Sequence, residues 1–130
     1  MRIRVNLLVI NMLILTACDA VDPEQRRKAL HLPPPGFKGV AIEGEKLFQQ
    51  YCGNCHGTQG EGSNQGPPLV NKIYRPAHHA DLAFHIAVRD GVKQHHWQYG
   101  DMQSQPSITP EDTAHIIAFV RQKQQLSGIK

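Results

Sequence analysis

Cys52-Gly53-Asn54-Cys55-His56 restricts the fold of this chain more than any other feature, because it sets two thiols one helical turn apart with an imidazole directly behind them. Side chains at that interval can grip one object together. The chain has 130 residues, room for one compact domain and appendages but not for two large domains. The part that reads as a domain is only some 90 residues of helix and loop, which makes a thin core, and a buried prosthetic group would enlarge it. The formal charge of +3 is not gathered into a basic face of the kind nucleic-acid binding requires.

Three uses of the thiol pair can be weighed. A redox dithiol expects a βαβ context, and no alternating strand pattern occurs here. Zinc would require Cys55 and His56, neighbours in the chain, to serve one tetrahedral ion, which is poor geometry. C-x-x-C-H is the attachment pattern of c-type haem. Its thiols form thioethers with two vinyl groups on one haem edge, and the histidine becomes the proximal iron ligand. A second axial ligand then has to be found. Of the three methionines, Met1 and Met12 fall in an N-terminal leader, which leaves Met102 in Tyr99-Gly100-Asp101-Met102. A lone methionine is ordinarily core filler, but this one stands in a polar stretch, so a ligand is the better reading. His/Met ligation fills both axial positions and raises the reduction potential.

The leader begins with Arg2 and Arg4, continues with an apolar run from Val5 to Leu15 and ends in small residues. That is the layout of a secretory signal, and a largely apolar run of eleven residues is too short to span a bilayer. Leu15-Thr16-Ala17-Cys18 resembles the lipobox of bacterial lipoproteins. The resemblance implies cleavage after residue 17, acylation of Cys18 (palmitate among the acyl chains), and attachment to the periplasmic side of a membrane. Asp19 next to Cys18 resembles an inner-membrane retention signal. Several acyl chains would anchor firmly, at about 0.8 kcal/mol per buried methylene. Losing Arg2 and Arg4 reduces the fourteen basic residues to twelve, against eleven acidic ones. Residues 18–39 read as a lipidated start and a tether, with Pro33-Pro34-Pro35 extended and semi-rigid.

The domain, 40–130, is expected to be all-α. Ile42, Leu47 and Tyr51 recur at roughly helical spacing, with Gly44 and Phe48 on an adjoining strip, predicting a helix over 41–53. A glycine-rich loop is expected over 53–66 and a second helix from Asp81 to Asp90, stopped by Gly91. The clearest start is Thr109-Pro110-Glu111-Asp112, an N-cap, a first-turn proline and two acids, ahead of the apolar Ile116, Ile117, Phe119 and Val120.

From about Val40 to its end the chain resembles a class I, bacterial monohaem cytochrome c. The resemblance implies three main helices and long loops around one covalent haem, held by Cys52, Cys55, His56 and Met102. Gly44 and Phe48 match the family's glycine–aromatic pair on the first helix, and Phe119 the aromatic of the last helix, which crosses it there. Gly66-Pro67-Pro68-Leu69 matches the loop whose carbonyl, here Pro67, accepts a bond from the proximal histidine. One departure stands out: Met102 is followed by Gln103, where the family commonly has proline. The resemblance implies an electron carrier rather than an enzyme, with membrane-bound redox complexes or other carriers as partners. Other readings are a subunit of a membrane oxidase or dehydrogenase, and a haem sensor if Met102 can be displaced.

Trp97 reads as packing or as a donor to a haem propionate, a role open also to Tyr74 and Arg75. His78, His79, His85, His95 and His96 exceed what a carrier needs. If the middle helix starts a turn early, His78 and His85 share a face, and a second metal, copper or zinc, is conceivable. The plainer alternatives are surface residues and haem-edge packing.

Overall fold

The computed structural model describes residues 22–130. The leader, Cys18 and Asp19 lie outside the described residues. Five helices follow in order among the described residues: α1 Pro23–Ala29, α2 Ala41–Tyr51, α3 Gly53–His56, α4 Asp81–Asp90 and α5 Pro110–Leu126, with a 3-10 turn at Lys72–Tyr74. Among the described residues there is no strand, only an isolated antiparallel bridge between Val92 and Met102. None of the described helices is long and apolar enough to cross a membrane.

The α2–α5 crossing organises the core. A Cβ added to Gly44 would fall 1.9 Å from the His115 carbonyl oxygen, so only glycine allows the two backbones to meet. One turn on, the rings of Phe48 and Phe119 lie 5.2 Å apart at 49°. Ile108, Ile116, Val120 and Val88 complete the buried cluster. The inward face of α2 is therefore the strip of Gly44 and Phe48. Of the residues at apolar spacing, Leu47 packs against this cluster, while Ile42 is 60% exposed and Tyr51 38%. Close backbone approach outweighed side-chain hydrophobicity in choosing the face. α5 starts as its sequence indicates, with a reciprocal capping box between Thr109 and Asp112.

Two boundaries differ from expectation. The first helix stops at Tyr51, and the four residues Gly53–His56 wind a separate turn, closed by the Cys55 and His56 amides donating to the Cys52 carbonyl at 3.1 and 2.9 Å. The stretch expected to be a free tether contains α1. Asp22 caps the Glu24 amide, Pro23 opens the helix and three basic residues close it, a local start signal that the charged composition obscured. α1 buries nothing. Beyond it, however, residues 31–40 dock along α5. His31 Nε2 meets Thr113 Oγ1 at 3.3 Å, the Val40 amide donates to His115 Nδ1 at 2.9 Å, and Phe37 sets its ring against His115 at 5.2 Å.

Candidate haem site

One cavity of about 560 Å³ opens between α2, α4 and the loops, within the range of small-molecule and cofactor pockets. Its wall is chiefly apolar, with Phe48, Leu69, Phe84, Val88, Val92 and Ile116 among its residues. Cys52, His56, Pro67, Trp97 and Met102 all line it. Cys55 is exposed and not part of the lining.

His56 is placed by α3 and held from behind. Its Nδ1 donates to the Pro67 carbonyl at 2.8 Å, which leaves Nε2 with its lone pair. Burial pushes the His56 pKa down, against the opposing pull of that carbonyl, so the ring is neutral and able to ligate. The Cys52 thiol is pushed up to about 12 by burial first and by Cys55 beside it. A redox dithiol works through a thiolate of far lower pKa; a thiol this reluctant to ionise does not suit that use.

Met102 faces His56's cavity from a different part of the chain. Its amide and carbonyl pair with Val92 at 2.9 and 3.0 Å. Gly91, at φ +77°, permits this: a Cβ there would lie 2.4 Å from the Met102 carbonyl oxygen. Met102 is half-buried, so it is neither core filler nor a surface residue.

Trp97 Nε1 is buried without an acceptor. Burial raises the pKa of the neighbouring Tyr74 phenol, with the Trp97 indole opposing, yet the pair does not reach hydrogen-bond geometry. Tyr74 also lines the cavity; Arg75 does not, and donates instead to the Lys72 carbonyl at 3.0 Å.

Two polar residues of α5 shape this wall and escaped the sequence reading. Arg121 donates to the carbonyls of Tyr74 and His79 and pairs with Asp81 at 2.8 Å. Gln124, 1% exposed, donates to the carbonyls of Leu69 and Tyr74 at 2.8 and 3.0 Å. Their only signal in sequence is an i, i+3 polar pair continuing an apolar face.

The histidines divide. His85 is buried on α4, its Nδ1 without a partner and its ring 6.2 Å from His31. α4 starts at Asp81, so the shared face of His78 and His85 does not form. His78, His79, His95 and His96 instead gather beside the cavity, with ring centroids 4.3–6.1 Å apart. His79 and His96 have lowered pKa values, from desolvation and from the neighbouring imidazoles.

A family model described as Cytochrome c matches residues 41–124. None of the curated proteins or solved structures compared matches the chain. The matched region runs from the start of α2 to near the end of α5 and takes in the whole cavity wall. Covalently bound haem c is the group that goes with this family, with Cys52 and Cys55 at the C-x-x-C-H position. The residues fit it: an apolar slot, a neutral imidazole with a free lone pair on its wall, and a buried indole N–H lacking an acceptor.

Proposed function

Because the chain belongs to the cytochrome c family, whose members carry electrons rather than catalyse reactions, we propose that it is a class I bacterial carrier on the periplasmic face of a membrane, with His56 and Met102 as axial ligands of its haem. Haem supplies a one-electron Fe(III)/Fe(II) couple. The observation that carries the ligand assignment is that His56 and Met102, 46 positions apart in sequence, line the same apolar cavity. The Pro67 carbonyl orients the His56 ring and raises its basicity as a ligand. The Met102 thioether is a weak donor that favours the reduced state and so a higher potential. The apolar wall keeps water from the site, which limits reorganisation on electron transfer. Trp97 Nε1 is suited to take a propionate oxygen as its missing acceptor.

Anchoring is assigned to acyl chains on Cys18, with membrane-bound redox complexes or other carriers as partners. Support comes from the lipobox-like Leu15-Thr16-Ala17-Cys18 and from Asp19 behind it. Replacing Cys18 by Ala should release the haem protein from the membrane fraction and abolish palmitate labelling. Met102→Ala tests the ligand. The haem should stay covalently attached, the weak red absorption band of Met–iron ligation should vanish, and the reduced protein should bind carbon monoxide, which the unaltered protein should not. Ready gas binding by the unaltered protein would remove Met102 as a firm ligand and favour a sensor.

A further inference from the structure

We propose that His78, His79 and His96 form a second metal site, for a divalent transition-metal ion with copper(II) ahead of zinc(II), beside the haem cavity. Each offers one ring nitrogen, and the three ligand atoms lie within 4.8 Å of one another. Ligand nitrogens stand about 3.3 Å apart around a tetrahedral zinc ion with bonds of about 2.0–2.1 Å, and about 2.8 Å apart at adjacent positions of a tetragonal copper(II) ion. Small rotations of exposed rings cover the difference, since His78 and His96 are exposed and His79 half-buried.

The tautomers are already set for ligation. His78 and His79 both donate Nδ1–H to a single carbonyl, that of Ile73, each at 2.8 Å. Two neighbouring rings thus keep Nε2 as a lone pair, which is the carbonyl-oriented arrangement that metal-bound histidines almost always show. The Ile73 oxygen has two lone pairs and accepts both. His96 closes the set from another segment, its ring 5.2 Å from each of the other two. His95, held through Nδ1 by the Lys93 carbonyl at 2.8 Å, with its ring 4.3 Å from that of His96 and tilted 53° to it, is placed to support or supplement it.

The chemistry of the set selects the ion. It holds imidazoles and no carboxylate, which disfavours calcium and magnesium and suits copper, zinc or nickel, with copper(II) bound most tightly in the divalent series. Three protein ligands leave at least one position for water or a group from a partner. His79 and His96 border the haem cavity without being its axial candidates, so the ion would sit beside the haem.

The test uses the haem-loaded protein without a histidine tag, titrated with Cu2+ alone and with Zn2+ alone. One equivalent should bind, the copper resonance spectrum should show several imidazole nitrogens, and the haem absorption should not change. His78→Gln, altered outside the cavity lining, should keep its haem spectrum and lose at least about tenfold in affinity. His85→Gln, altered away from the cluster, should bind as before. Equal affinity in His78→Gln, or an equal loss in His85→Gln, would each overturn the site.

Discussion

The two sides of the cavity are built to different standards. On the His56 side, nearly every group of the attachment turn is tied. The His56 carbonyl accepts from the Gly62 amide at 2.6 Å, the Cys55 carbonyl accepts from Ser63 Oγ at 2.7 Å, and the His56 ring donates from Nδ1 to the Pro67 carbonyl behind it. The turn continues directly from α2, whose crossing with α5 is the core. On the Met102 side, the loop between Val92 and Met102 is closed by one bridge and by side chains in water. Lys93 pairs with Asp101 at 2.5 Å, but its side chain is 92% exposed. The Gln94 amide and side chain complete the turn with Asp101 and Gly100. Segments with few buried contacts and exposed hydrogen bonds open locally at low cost. Under the proposed ligation, one ligand is thus part of the fold and the other is carried on a loop, without a proline after Met102 to stiffen it. A carrier so built keeps its cofactor through one wall and tunes its iron through the other.

Removing each ligand tests this asymmetry most severely. His56→Ala should abolish haem-loaded protein altogether, read as covalent haem per chain, whereas Met102→Ala should retain it. Equal haem retention in both would dissolve the distinction. Gly44→Ala should strike the tied side through the core. With a methyl driven to 1.9 Å from the His115 carbonyl oxygen, we expect a loss of about 3 kcal/mol, or a fall in Tm on the order of 15 °C. Lys93→Ala should cost the fold at most about 1 kcal/mol, as exposed ion pairs do, while weakening the red Met–iron band; an unchanged band would mean that the bridge alone holds the loop.

The smallest expected effect concerns neither wall. His85 has a lowered pKa, chiefly from burial and next from His31 facing it. Its contribution to stability is therefore complete above the ordinary histidine value near 6.5 and is lost as the pH falls through the lowered one. Hydrogen exchange should show amides of residues 31–40 loosening below pH 6 before the helix core does.

Legibility in the sequence followed distance along the chain. The attachment motif, the start of α5 and the stop of α4 at Gly91 were all readable, because motifs and caps depend on residues within four positions of each other. Pro67 behind His56 was readable only through family resemblance. α1 was missed, although Asp22-Pro23 is a start signal, because charge and proline content suggested a tether. The inward strip of α2, Gly44 and Phe48, was readable through the resemblance, whereas the apolar spacing of Ile42 and Tyr51 did not mark it.

By itself, the sequence determined an all-α chain with a haem-binding turn, since covalent adjacency and the 3.6-residue period act locally and require no partner. Tertiary structure alone decided the rest. It laid residues 31–40 on α5, and set Arg121 and Gln124 to hold the loop carbonyls. It also separated His85 from four histidines that came together from two segments. Those outcomes depend on which surfaces are buried together when distant segments meet, and no local spacing encodes that choice.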